Sequence, residues 1–455
     1  MAREIDLLVR GATRVGAMGD ENEIDLYVQD GKVMGWGRLD LPAREVIDAK
    51  GLHLLPGMID AHVHFMDPGD PTREDFSSGS AAGAAAGVTT ILEHSHGVRV
   101  TDGTSLAKKI DYLKDRSVID FGLGAHFSPT SLNEIGEAME GGAAFIKVFT
   151  CTTHGVTAVE NGFLLAAMKR FADRGVPFLV HAEDESLTRT AEIELRRTGR
   201  EDGMVIPQWR SPLAEQVAVT TVAQLARATG APTIVAHCSH PRVVDIVNEY
   251  RARGASLFAE GCPQYFYLRE DEIKEHGAFR KFTPPARAKT AEDFEAMWER
   301  LRNGSISYLA SDHAPSTRAQ KTEGSIWDVH FGLPGIDTTL AVMLDAACRG
   351  MLSLSRLVEL YALMPALLYG LYPQKGTLQV GSDADFILVD LNATRVIRDE
   401  DVLSRAGWTP FAGREIRGRV VSTYLRGQKV AEGGRCVARP GTGRFIPGRG
   451  YRKTA

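Results

Sequence analysis

Six residues of metal-binding type stand in or just after short apolar runs of this chain: His62, His64, Lys147, His181, His237 and Asp312. The first two belong to the run Met-Ile-Asp-Ala-His-Val-His-Phe. Residues i and i+2 of a strand point to the same face, so both imidazoles can reach one metal ion. Imidazole nitrogen and carboxylate oxygen suit zinc, and also manganese, cobalt or nickel. These residue types therefore predict a metal site.

Lys147 lies inside an apolar run, Phe-Ile-Lys-Val-Phe, where a buried ammonium beside metal cations would be strongly repelled. A neutral, desolvated lysine is nucleophilic and can take up CO2 to form an anionic carbamate, N6-carboxylysine. The two oxygens of this group can bridge two divalent cations. We therefore predict two metal ions, an inner one and an outer one, bound respectively by His62, His64 and Asp312 and by His181 and His237.

The elements that must position these residues follow a repeating order of apolar run and helical stretch. The chain contains eight such runs: Met58–Phe65, Val88–Glu93, Ile119–His126, Ala144–Phe149, Pro177–His181, Pro232–His237, Ser256–Glu260 and Ile306–Ser311. Strands that alternate with helices favour parallel βαβ units. Eight units predict an α/β fold, a (β/α)8 TIM-like barrel over 57–371. Because chemistry in such barrels lies at the carboxyl ends of the strands, the six residues are expected to meet at one mouth.

The two ends of the chain have a different pattern, with short alternating apolar and polar pieces separated by Gly and Asp turns. This pattern is typical of β-hairpins. We predict that 1–56 and 372–455 together form one small β-sandwich domain. After Glu432 the chain carries several basic residues and no acid. We expect this last segment to be a solvated tail or an arm that contacts another subunit.

Several motifs together resemble the binuclear cyclic amidohydrolases of the amidohydrolase superfamily, the group of hydantoinase/dihydropyrimidinase, allantoinase and dihydroorotase. The resemblance spans nearly the whole chain and is carried by Pro56-Gly-Met-Ile-Asp-Ala-His-Val-His-Phe, Ala86-Gly-Val-Thr-Thr, Phe145-Ile-Lys-Val-Phe, Val180-His-Ala-Glu-Asp, Ala236-His-Cys-Ser, Cys262-Pro-Gln-Tyr, Ser311-Asp-His-Ala-Pro and Gly381-Ser-Asp-Ala-Asp-Phe-Ile-Leu-Val-Asp. It implies hydrolysis of a ring amide C–N bond by a metal-bridging hydroxide. In this reaction Asp312 would be the catalytic residue that carries a proton to the leaving nitrogen.

Departures from the family pattern bear on the substrate. In dihydroorotases the two histidines are followed by Leu-Arg, whereas this chain has Phe65-Met66 at that place. Dihydroorotases also carry an Asn after the second strand, where this chain has His94-Ser95-His96. Hydantoinases have a Tyr where this chain has Thr152. The resemblance thus implies a cyclic ureide, imide or hydantoin-like substrate, as in allantoinase or hydantoinase. We predict that His96, Cys151 and His313 contact this substrate.

Other readings of the same residues stay open. Dihydroorotase activity, or lactonase activity on an ester, would use the same site. A reading of another class is a non-catalytic scaffold homologue, although such relatives usually lose ligands that this chain keeps. A mononuclear deaminase would lack the lysine.

Composition limits the partners and the compartment. The chain has 455 residues and a formal net charge of −5, and nothing in that balance favours nucleic acid as a partner. No apolar run reaches the length of about 18 residues that a membrane span needs. The five cysteines are odd in number and form no CxxC pair, which favours the reducing cytoplasm. The resemblance implies a homodimer or a homotetramer.

Overall fold

Seventeen strands in the described part of the chain form the two sheets of the protein. The computed structural model describes residues 4–19, 21–39, 41–94, 96–129 and 132–452. The first five strands, β1 to β5, are Ile5–Val15, Glu21–Gln29, Lys32–Gly37, Ala43–Asp48 and His53–Pro56. Strands β6 to β13 are Met58–Val63, Val88–Glu93, Asp120–His126, Phe145–Phe149, Phe178–His181, Thr233–Val235, Leu257–Gly261 and Tyr308–Leu309. The last four, β14 to β17, are Phe386–Val396, Glu415–Leu425, Gln428–Glu432 and Arg435–Cys436.

Strands β6 to β13 form one parallel sheet in which each strand pairs with the next along the chain. A bridge between Val63 and His313 joins the first strand to the segment after the last one. The amide of His64 also donates to the carbonyl of His313 at 2.8 Å. The sheet is therefore nearly closed, and the predicted eight-stranded barrel is confirmed.

The connections between barrel strands are mainly helical, as the alternation of runs predicts. The helices α1 to α15 are Phe76–Ala85, Gly103–Leu113, Glu134–Glu140, Asn161–Phe171, Glu185–Arg197, Val205–Trp209, Pro212–Thr229, Pro241–Ala252, Gln264–Tyr267, Ile273–His276, Ala291–Arg302, Arg318–Thr322, Thr339–Cys348, Leu354–Val358 and Met364–Tyr369. Among the described residues, no helix is both long enough and apolar enough to cross a bilayer.

The two chain ends share one mixed sheet of nine strands in the order β17-β16-β15-β14-β5-β1-β2-β3, with β4 paired to β1. The ends join where β5 runs antiparallel to β14 and Pro56 pairs with Phe386. An apolar core of its own includes Leu7, Leu54 and Phe386. The small β-domain built from both termini is thus confirmed. The boundaries 1–56 plus 372–455 and 57–371 stay a prediction.

The basic C-terminal segment is docked on the barrel, so the solvated-tail alternative is wrong, while a contact of this segment with another subunit stays a prediction. Its backbone lies along β8, where the amide of Phe121 donates to the carbonyl of Arg444 at 2.9 Å. The amide of Ile446 returns a bond to Phe121 at 2.8 Å, and the Ile446 side chain packs into an apolar cluster of the barrel. The segment covers the amino-terminal end of the barrel, which would otherwise expose apolar side chains to water. Lys453 lies outside the described residues.

A buried ion cluster ties the small domain to the barrel. Lys375 is 1% exposed, and its Nζ lies 2.6 Å from Asp385 and 2.9 Å from Asp383. It also pairs with Asp120, the first residue of β8, which accepts from Arg426 as well. Charges of opposite sign thus offset one another where the two parts of the chain meet.

Candidate active site

The six predicted metal ligands surround one cavity at the carboxyl ends of the barrel strands. Two lie on β6 or directly after it, and others lie on β9, at the end of β10, after β11 and after β13. The free space is about 10 Å³, roughly that of one water molecule. The cavity is lined by His62, His64, His96, Lys147, Phe149, His154, His181, His237, Thr283, Asp312, Ala314 and Gly332. The structure therefore brings the predicted ligands together.

The inner group consists of two imidazole nitrogens and one carboxylate oxygen. Nε2 of His62 lies 3.2 Å from Oδ1 of Asp312, and Nε2 of His64 lies 3.3 Å from the same oxygen. Ligands with bonds of about 2.0–2.1 Å to one tetrahedral zinc ion stand about 3.3 Å apart. The spacing of these three atoms is that of ligands to one small cation.

Hydrogen bonds fix the tautomers of the two inner histidines. Nδ1 of His62 lies 2.7 Å from Oε1 of Glu260, and Nδ1 of His64 lies 2.7 Å from the carbonyl of His94. A carbonyl only accepts, and Oε1 of Glu260 also accepts from the amide of His237 at 2.8 Å. We therefore assign the proton of each ring to Nδ1, which leaves a lone pair on each Nε2 directed at the cavity.

In the outer group, a hydrogen bond fixes the tautomer of His181 in the same way. Nε2 of His181 donates to Oε2 of Glu183 at 2.7 Å, so Nδ1 of His181 carries the lone pair. This Nδ1 lies 3.0 Å from Nε2 of His237. Burial lowers the pKa of His181 and His237, which keeps both rings neutral as metal ligation requires. Both donor sets thus fit divalent cations.

The pKa values of Lys147 and Asp312 are both lowered, but by different causes. Burial lowers the pKa of Lys147 to about 8, although Glu260 and Asp312 oppose the shift. For Asp312 burial would raise the pKa, but the adjacent rings of His62 and His64 bring it below its usual value. A larger neutral fraction makes the amine of Lys147 a better nucleophile toward CO2 than an ordinary lysine.

The backbone is in the left-handed region at two of these positions. Asp312 has a φ of 50° and His237 a φ of 37°, which non-glycine residues seldom adopt. Such strain is held by the surrounding structure and is concentrated at functional sites. Here it turns both side chains toward the cavity just past the ends of their strands.

Comparison with known proteins agrees with this geometry. The model of the amidohydrolase family matches residues 53–430. The chain belongs to the amidohydrolase family. It is 36% identical over 451 residues to an allantoinase of Rubrobacter xylanophilus, covering 97% of each chain. It is 33% identical over 457 residues to an L-hydantoinase of Paenarthrobacter aurescens, covering 98% of this chain and 99% of that one.

A solved structure of an L-hydantoinase (dihydropyrimidinase) from Arthrobacter aurescens matches the fold with a TM-score of 0.93 and 32% identity. The match covers 97% of this chain and 100% of that one. A dihydropyrimidinase from Brevibacillus agri matches with a TM-score of 0.91 and 29% identity, covering 98% and 99%. The resemblance inferred from the motifs is confirmed.

The three predicted substrate contacts have different positions. His96 lines the cavity. Cys151 does not: its Sγ lies 3.2 Å from Arg210, behind Glu183. His313 is fully buried, with Nδ1 accepting from the amide of Gly335 at 3.1 Å. The structure therefore does not bring Cys151 or His313 to the cavity.

Sequence reasoning missed several residues that hold the site. Glu260 fixes His62, and it ends the seventh predicted strand, so the rule that selected the histidines could have found it. Arg210 and Thr283 both donate to Oε2 of Glu183, at 3.4 and 2.7 Å. Together with His181, these two donors outweigh the burial that would raise the pKa of Glu183 and lower this pKa to about 2. Neither lies at a strand end, so no pattern marked them.

Proposed function

We propose that this protein hydrolyses a ring amide C–N bond of a cyclic ureide, imide or hydantoin-like substrate. The observation that carries the proposal is the convergence of lone pairs from several barrel strands on one cavity, with three histidine tautomers fixed by separate hydrogen bonds. The relatives named as allantoinase and L-hydantoinase support a cyclic substrate.

We further propose that two divalent cations, most suitably Zn²⁺, occupy the two groups of donors and that Lys147 is carboxylated between them. Manganese, cobalt or nickel would suit the same nitrogen and oxygen donors. The burial of Lys147 and its lowered pKa support this modification. When bound, such cations lower the pKa of water and polarise a carbonyl.

Asp312 is the residue that we assign to proton transfer. Its side chain is 13% exposed, whereas His62 and His64 beside it are 1% and 3% exposed. Its lowered pKa keeps it ionised at neutral pH and able to accept a proton from the attacking water. It can then deliver that proton to the leaving nitrogen, which would otherwise depart as an unstable anion.

The alternatives use the same cavity. A dihydroorotase must bind a substrate carboxylate, but among the described lining residues Lys147 is the only lysine or arginine. A lactonase would need only an ester in place of the amide. A scaffold without activity would have no reason to keep all the donors oriented toward one space.

A hydrolysis panel tests the proposed function. The protein is loaded with Zn²⁺ in the presence of bicarbonate and offered allantoin, hydantoin, dihydrouracil, a cyclic imide, dihydroorotate and a lactone. We expect ring opening of at least one neutral cyclic amide, and loss of both bound metal and turnover in Lys147→Met. Absence of ring opening from the metal-loaded protein, or full metal content in the variant, would contradict the proposal.

We also propose that the protein acts in the cytoplasm as a homodimer or homotetramer. All five cysteines are free thiols, as expected in a reducing compartment. Leu187, Ile193, Leu213 and Val217 on α5 and α7 are exposed apolar side chains, which subunit contacts could cover. Light scattering after gel filtration measures the oligomeric state.

A further inference from the structure

A row of rings leads from the floor of the cavity to its mouth. The ring of His96 lies 4.1 Å from that of His64 and stacks on that of His154 at 4.4 Å and 26°. His154 in turn lies 6.0 Å from Phe331. Exposure increases along the three histidines, since His64 is 2% exposed, His96 is 9% exposed and His154 is partly exposed beside the exposed Gly155. A substrate group that points from the predicted metal ligands toward solvent would lie beside these rings.

The ring nitrogens of His96 have no hydrogen-bond partner in the part of the chain that the structure describes. Both ring nitrogens are buried, and among the described residues neither makes a hydrogen bond. A buried polar atom without a partner destabilises a protein, so such atoms are usually paired with protein, water or ligand. A neutral imidazole offers one donor and one acceptor. His96 can therefore bind a ligand group that both accepts and donates.

One part of the cavity wall is small and, among the described lining residues, has no lysine or arginine side chain. It is formed by Thr283, Ala314 and Gly332, and the hydroxyl of Thr283 is already used by Glu183. A Cβ atom at Gly332 would lie 2.2 Å from the carbonyl oxygen of Ala314, so this wall cannot accommodate a larger residue there. His154, which is partly exposed, lies on the solvent side of this cavity.

We propose that His96 and His154 form the subsite for the exocyclic substituent of the substrate ring, and that this subsite selects a neutral hydrogen-bonding group such as a ureido group over an alkyl group of the same shape. The inference rests on the proposed function and adds the substrate class. A site built to hydrogen-bond rejects an analogue that leaves its polar atoms unpaired.

Two substrates with the same ring test the proposal. Allantoin carries a ureido group, and the isobutyl-substituted hydantoin carries a hydrocarbon of the same branched shape. We expect the zinc-loaded wild-type protein to favour allantoin in kcat/KM by about 100-fold or more. His96→Phe and His154→Phe should each lower kcat/KM for allantoin by about 10- to 100-fold while keeping that for the isobutyl compound.

His276→Phe, an exposed histidine on α10, is the matched control and should leave both substrates unchanged. Metal content is measured for each variant. A wild-type protein that treats both compounds alike or prefers the isobutyl one would overturn the subsite, and this comparison needs no variant. So would equal losses for both substrates in the variants. Unsubstituted hydantoin separates the two proposals, because its hydrolysis without any preference between the substituted compounds leaves the proposed function standing.

Discussion

The direction of a single ring nitrogen decides what each histidine of this site can do. His62, His64 and His181 each donate one nitrogen to an oxygen of the protein and keep the other free. The partner oxygens belong to Glu260, the His94 carbonyl and Glu183. A ligand set is thus defined by its supporting oxygens as much as by its imidazoles.

Replacing Asp312 with asparagine separates proton transfer from metal binding. Asp312→Asn keeps an oxygen at the ligand position but cannot take up a proton. We expect kcat to fall by about 10²- to 10⁴-fold while most of the metal is retained. Steady-state kinetics and elemental analysis of the same sample measure both. Asp115→Asn, an exposed position, is the control. Near-normal turnover in Asp312→Asn would remove the assigned role.

The sequence could predict the directions of His62, Lys147 and His181 because they lie in strands, where side-chain direction follows from the period of the strand. His237 and Asp312 lie just past their strands, so the sequence could place them at the barrel mouth but could not predict the left-handed backbone that turns them inward. His96 lines the cavity, and its contact with the substrate stays a prediction. Cys151 and His313 lie in irregular backbone, where no periodicity tells which way a side chain points. Their positions depend on tertiary contacts with Arg210 and Gly335.

At the scale of elements, the edge of the cavity is held by two buried lysines. Nζ of Lys281 donates to the carbonyl of Trp327 at 3.1 Å and to that of Val329. Nζ of Lys321 donates to the carbonyl of His330 at 2.8 Å. The next residue is Phe331, whose ring lies 4.4 Å from Nζ of Lys281. The lysines satisfy carbonyls that no helix or strand pairs.

The pKa of Lys281 makes this anchoring depend on pH. Burial lowers it to about 7 from 10.5, against the opposing charge of Asp328. Between these values the unfolded chain binds more protons than the folded protein, so the contribution of Lys281 to stability increases with pH. We expect the Tm of wild type minus the Tm of Lys281→Met to increase from about pH 7 to about pH 9. A constant or shrinking difference would contradict this, and Lys274→Met, at an exposed position, serves as the control.

The apolar runs of the sequence predicted the positions of the barrel strands well. The second predicted barrel strand, Val88–Glu93, has the bounds that the structure shows. The eighth was predicted as Ile306–Ser311 but forms strand only at Tyr308–Leu309. The backbone there leaves the sheet to turn Asp312 inward, a geometry that an apolar run does not reveal.

At the scale of the whole molecule, the ion cluster around Lys375 couples the two parts of the chain. Lys375→Met leaves Asp120, Asp383 and Asp385 buried with less positive charge. Removing one partner of a buried ion pair costs about 3–5 kcal/mol. We expect a loss of that size in the free energy of unfolding, measured with denaturant. Lys429→Met, which removes an exposed pair with Glu432, should cost about 0–1 kcal/mol. Equal effects in the two variants would show that the cluster does not stabilise the protein.

The barrel and the small domain of both termini followed from the sequence, but the course of the C-terminal segment did not. Its basic residues suggested solvent exposure. The few apolar side chains among them, Ile446 above all, pack against the barrel, and composition averages over such single contacts. Long-range pairing of this kind has no local signal.

The pairing of β5 with β14 has a consequence for folding during translation. While the ribosome is still adding the barrel, the open side of β5 has no strand beside it, and its unpaired amides and carbonyls can attract a neighbouring nascent chain. The amino-terminal end of the barrel is likewise uncovered until the basic C-terminal segment has been synthesised. A chaperone that shields these surfaces until translation ends would raise the yield of active enzyme.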